Sequence, residues 1–208
     1  MERITADSVR TRSGADEKGA KLLRALTVPP LMALFLITSL YIGLGSKAFA
    51  SPIHYFEALF TLVLLPVLPY AICAIIPSMK KKGRKLERTM AIAFSILGYV
   101  MGLLFAIFGG GTRIELILYM TYAISGVLTA VLTFIFRFKA SGHTCGASGP
   151  FAMLAISLNP WWLLGYLAMI PIFISSIRLR RHTLGQLFAG ATVSVAALFI
   201  AIWIIELI

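Results

Sequence analysis

Two histidines and a set of cations hold whatever chemistry this chain performs. His143 lies in the polar stretch Lys139-Ala140-Ser141-Gly142-His143-Thr144-Cys145-Gly146, and His182 lies in Arg178-Leu179-Arg180-Arg181-His182-Thr183-Leu184-Gly185-Gln186. A third stretch, Lys80-Lys81-Lys82-Gly83-Arg84-Lys85-Leu86-Glu87-Arg88, is the densest run of charge. Together they offer what an anionic headgroup needs: ammonium and guanidinium groups for phosphate, backbone N–H donors, and two imidazoles. A carboxylate pair and a Ser/His/Asp arrangement are missing: Asp7 and Asp16 are confined to the N-terminal region, and only Glu87 accompanies the cations. Cys73 and Cys145 supply no framework for disulfides or structural zinc, and Cys145 beside His143 lacks further ligands, so the reading is metal-free and cofactor-free. Phosphoryl transfer by two histidines is the chemistry left.

The elements that position these groups must be membrane helices. With 59% hydrophobic and 13% charged residues among 208, the chain is no soluble domain. Apolar runs of about 18 or more residues recur, enough to cross a hydrocarbon core of roughly 30 Å, and such runs must be helical because backbone groups in lipid have to satisfy one another. The expectation is an all-α, polytopic integral membrane bundle. Residues 1–27 read as a basic cytoplasmic tail with an interfacial helix around Lys18–Leu26, and residues 28–208 as the transmembrane domain, its motif-bearing core at about 78–195. The first apolar run starts only at Val28, which argues for an anchor over a cleaved signal peptide. Pro66 and Pro69 are expected to kink the second span. Residues 146–177 could cross once, for six spans, or twice around Asn159-Pro160, where Trp161-Trp162 would anchor a turn at the interface; seven spans are favoured.

Charge placement supports seven. With the N-terminus cytoplasmic, all of the 19 Lys and Arg residues except Lys47 and Arg113 fall on one side. The net charge of +11 therefore reads as contact with anionic membrane lipids, in what is expected to be a prokaryotic cell membrane, and not with nucleic acid, for which no binding module is present. The three polar stretches then meet at one face.

In order and on one face, these stretches resemble the signature of the type 2 phosphatidic acid phosphatase (lipid phosphate phosphatase/haloperoxidase) superfamily: K-x6-R-P, then P-S-G-H, then S-R-x5-H-x3-D. Lys81 to Arg88 matches the first, with Thr89 for proline; Ser141-Gly142-His143 matches the second, with Ala140 for proline. His182 to Gln186 matches the third, with glutamine for aspartate and Ser176 at the family's arginine position. The R-H-T-x-x-Q run looks like a prokaryotic branch. The resemblance implies a phosphatase acting on a lipid phosphate monoester or diphosphate, of the phosphatidic acid or polyprenyl phosphate type. His182 would be the nucleophile, oriented by Gln186, and His143 the general acid. Lys81, Arg88, Ser141, Gly142 and Arg178 would hold the phosphate.

Two other readings start from the same residues. Gln186, Ser176 and Thr89 depart from the family pattern and fit a non-catalytic phospholipid-headgroup binder or lipid carrier on the same scaffold. A transporter has less in its favour, since no span carries a charge at its centre.

Overall fold

The computed structural model describes residues 18–207, and among these there are helices and turns but no strands. Six helical runs are long and apolar enough to cross a membrane, which makes this an integral membrane protein. A short helix, α1 (residues 18–26), leads into α2 (Pro29–Leu44). The remaining spans are α3 (Pro52–Ile75), α4 (Gly83–Phe108), α5 (Arg113–Phe134), α7 (Pro160–Arg178) and α8 (Leu184–Leu207). Between α5 and α7 lies α6 (Gly142–Ser157), 16 residues long.

Helix α6 falls short of a span in length and has a small, polar first half, yet it runs alongside α2. Its neighbours advance in register along α2: Gly146 lies against Pro29, Phe151 against Phe35, and Leu158 against Gly43. It therefore runs parallel to α2 over nearly the whole length of that span. Residues 147–155 of α6 are all buried, so this is the central helix of the bundle. The chain reverses at Asn159, whose side-chain oxygen accepts from Trp161 N–H at 2.9 Å, and returns as α7. The chain turns back at Asn159-Pro160 as expected, but α6 is not among the six helices long and apolar enough to cross a membrane.

Two helix starts have identifiable causes. Helix α3 begins at Pro52, because proline at the first helical position gives up only an N–H that has no partner there anyway. Helix α4 begins at Gly83, so Arg84 to Arg88 ride on a turn of helix that extends beyond the apolar run. The prolines of α3 act upstream of themselves. Pro66 and Pro69 cannot donate to the preceding turn, and the helix adopts a π turn over Phe60–Leu64, with Leu65 N–H reaching Phe60 O.

The two ends of the bundle differ in chemistry. At one end, Thr112 caps α5 and its hydroxyl donates to Ala48 O at 2.6 Å; His54 Nδ1 stands 2.8 Å from Glu115 Oε1, and Arg113 pairs with Glu206 at 2.9 Å. His54, which matched no motif, thus belongs to this end. The other end gathers α1, the 76–90 turn, residues 135–143 and the α7–α8 turn, and there the two remaining histidines meet.

Candidate active site

His182 lies in the α7–α8 turn, just ahead of α8, and its local structure explains its ring. Thr183 and Gln186 begin α8 as a reciprocal cap: Gln186 N–H donates to Thr183 Oγ1 at 3.4 Å, and Thr183 N–H donates to Gln186 Oε1 at 3.2 Å. The same Oε1 stands 3.2 Å from His182 Nδ1. A backbone N–H can only donate, so the amide atom facing Thr183 is the oxygen, and an amide oxygen can only accept. Nδ1 of His182 must then carry the proton, which leaves the Nε2 lone pair free. Burial, with the nearby cations Arg24, Lys139 and Arg88, lowers the His182 pKa against the opposing pull of the Gln186 bond, and so favours the neutral ring.

His143 sits in the first turn of α6. Its Nε2 is 2.8 Å from Thr27 Oγ1, and that hydroxyl also lies 2.8 Å from Leu23 O, to which it donates its single proton. The hydroxyl oxygen therefore accepts from His143 Nε2–H, and Nδ1 is the nitrogen left for a substrate. Arg24 and His182 are both close enough to act on this ring electrostatically.

Helices α6 and α8 are tied at this end, which fixes how the histidines face each other. Ser141 N–H donates to Gln186 O at 2.9 Å, and the Thr144 hydroxyl lies 2.9 Å from Leu187 O. Gly190 permits the approach: a Cβ there would stand 2.2 Å from Ser141 O. Ser141 has a different task from the phosphate contact expected of it. It is fully buried and caps α6, its Oγ accepting from Thr144 N–H at 3.3 Å. Gly142 is exposed at the open end of the helix, where its N–H points outward.

Of the expected phosphate-binding cations, Arg88, on the first turns of α4, acts on His182, and so does Lys139, before α6, which was not assigned that role. Lys81 stands exposed on the turn ahead of α4, and Arg178 is exposed in the last turn of α7. In their place the structure brings in Arg24, from α1. Its Nη1 donates to Ser176 Oγ at 2.7 Å, and Ser176 is the position where the resemblance expects an arginine. Arg24 and Thr27 were read as tail. Their spacing of three, one turn of helix, was the available signal that both present to one partner.

The turn carrying His182 is held under strain. Arg180 N–H donates to Ile177 O and Arg181 N–H to Ser176 O, with Arg180 at φ 49°. This is the helix-ending motif that prefers glycine, as the end of α4 shows, where Gly110 takes φ 72° and Gly111 N–H reaches Ala106 O. Among the described residues no cluster of three or more His, Cys, Asp or Glu side chains converges as a metal site would require. No known family, curated relative or solved structure matches the chain.

Proposed function

We propose that this is a membrane-embedded lipid phosphate phosphatase, hydrolysing a phosphate monoester or diphosphate of a lipid through a phosphohistidine. The observation that carries the reading is the His182 ring: Nδ1–H is committed to Gln186 Oε1 at 3.2 Å, which leaves Nε2 as a free nucleophile among cations. A group meant only to bind phosphate would gain more from an imidazolium.

The step balances as follows. The Nε2 lone pair attacks phosphorus as the bond from phosphorus to the lipid oxygen breaks. That oxygen leaves with the bonding electrons and takes a proton from Nδ1 of protonated His143. The negative phosphate raises the proton affinity of His143, which burial and the neighbouring Arg24 otherwise hold down. Water then attacks phosphorus, giving up a proton to His143; the P–N bond breaks, and its electrons return to Nε2. Arg88, Lys139 and the outward N–H of Gly142 stabilise the equatorial oxygens. Phosphoryl transfer depends mostly on positioning and charge, so this set suffices in principle.

The site lies at the bundle end, where a headgroup can enter while its chains remain among the helices. Lipids of the phosphatidic acid or polyprenyl phosphate type fit. The bias of Lys and Arg towards this end supports a cytoplasmic orientation of the site, in keeping with our reading of a prokaryotic cell membrane protein. Purified protein should release orthophosphate from a panel of such lipids, with release lost in His182→Ala and strongly reduced in His143→Ala. Full release by His182→Ala removes the nucleophile assignment. A second reading, a headgroup binder, draws on Gln186, an amide already engaged in a helix cap. Lipid binding without release by the wild type would establish it.

A further inference from the structure

We propose that Arg24, carried by the helix ahead of the first membrane span, grips the phosphate in this site, so that α1 is part of the active site. This rests on the phosphatase reading above. The first observation is a contact across 152 positions of sequence, Arg24 Nη1 to Ser176 Oγ at 2.7 Å. Ser176 is fully buried, so the bond holds one edge of the guanidinium and leaves its other N–H groups for a ligand. The second is Thr27, one turn on, whose hydroxyl holds His143 Nε2 at 2.8 Å. One face of α1 thus enters the site twice.

The surroundings of Arg24 call for an anion. It is half-buried beside Arg181, within electrostatic reach of His143 and His182, and among the described residues no carboxylate acts on it. Glu115 and Glu206 are engaged at the opposite end of the bundle, Glu57 accepts from Tyr119, and Glu87, beside Arg88 on α4, is not among the groups acting on Arg24. Partly burying the Arg24 guanidinium beside a second cation is costly unless an opposite charge joins it. A phosphate supplies that charge, and the planar guanidinium fork matches two of its oxygens as no single ammonium can. Arg24, Arg88 and Lys139 then surround the phosphorus in front of His182 Nε2, while Thr27 keeps His143 turned towards the leaving oxygen.

The test uses the full chain in detergent and the arginine reagent phenylglyoxal, with modification read residue by residue by mass spectrometry. Orthophosphate, and separately micelles containing phosphatidic acid, should slow modification of Arg24 and Arg88 by about fivefold, an effect in line with charge-assisted hydrogen bonding. Arg113, paired with Glu206 at the far end, should be unaffected. Protection at a lower concentration of phosphatidic acid than of orthophosphate identifies the lipid headgroup as the ligand, and equal protection identifies phosphate itself; both support the role of Arg24. Protection of Arg88 but not Arg24 overturns that role and leaves the phosphatase reading standing. Protection of neither overturns both. Arg24→Ala should weaken orthophosphate binding by about tenfold, and Arg24→Lys by about threefold, since charge is kept but the fork is lost. A fall in thermal stability of Arg24→Ala with unchanged orthophosphate binding would make Arg24 a strut between helices, against the proposal.

Discussion

Replacing Gln186 by glutamate puts the site's logic under the most informative strain. Glutamate has the same length, so its oxygen can keep both the 3.2 Å contact to His182 Nδ1 and the 3.2 Å bond from Thr183 N–H. What changes is charge. At 3.2 Å and an effective dielectric of about 20, a carboxylate and an imidazolium attract by about 5 kcal/mol before solvent is counted. Both side chains are half-exposed, and the new carboxylate must itself be desolvated, which leaves about 1.4 kcal/mol. That is about tenfold in stabilising positive charge on His182 as it bonds to phosphorus, and about one pH unit in the His182 pKa. The direction of each effect is fixed. A raised pKa keeps His182 protonated to higher pH, so the acid limb of the rate profile moves up by about one unit, while the rate above it rises by about tenfold. Stability should hold or improve slightly, because a carboxylate in the first turn of α8 suits the helix dipole. Gln186→Leu should lose about 1–2 kcal/mol of stability with the cap and at least about a hundredfold in rate with the tautomer. Phosphate release against pH and thermal unfolding are the assays. A lower rate for Gln186→Glu at every pH, or an unmoved acid limb, would refute the account of how Gln186 serves His182.

Other outcomes follow from the same contacts. Ser141→Ala should cost about 1 kcal/mol in thermal unfolding, the usual worth of an N-cap, while phosphate release per folded molecule stays within about threefold. Arg180→Gly should stabilise by up to about 1 kcal/mol, since glycine takes φ 49° without strain, and leave phosphate release unchanged. In a background lacking Cys73 and Cys145, Lys81→Cys and Arg180→Cys should react with a membrane-impermeant thiol reagent from one side, and Lys47→Cys from the other. Labelling of Lys81→Cys and Arg180→Cys from opposite sides would break the shared face on which the site depends.

How far the sequence foretold this arrangement depends on what each residue's type can disclose. The long apolar runs announce themselves, because lipid demands both their length and their helicity. The Asn159 turn was legible through its proline, its tryptophans and the charge that follows. Helix α6 was harder, since Ser141 to Gly149 are small or polar, and Ser141, Thr144 and residues 147–149 are buried by protein instead of lipid. The Ser-Gly-His stretch shows a limit of motif reading: a serine ahead of a helix can cap it or meet a ligand, and only burial tells which. Lys81 and Arg88 have suitable spacing, but the helix starts at Gly83, so one rides on α4 and the other remains on the turn before it. Arg24 was hidden for the plainest reason. A cation in a charged leader looks like a topology marker until the fold brings Ser176, which is 152 positions away, against it.

The central claim is that His182 becomes phosphorylated. Acid-labile, base-stable labelling of the purified protein by a radiolabelled lipid phosphate, quenched in the first turnover and mapped by peptide analysis, tests it most directly. The account predicts label on His182, none in His182→Ala, and more trapped in His143→Ala if loss of the water-activating base slows breakdown more than loss of the acid slows formation. Phosphate release from the wild type with no label at His182, or undiminished label in His182→Ala, would contradict it.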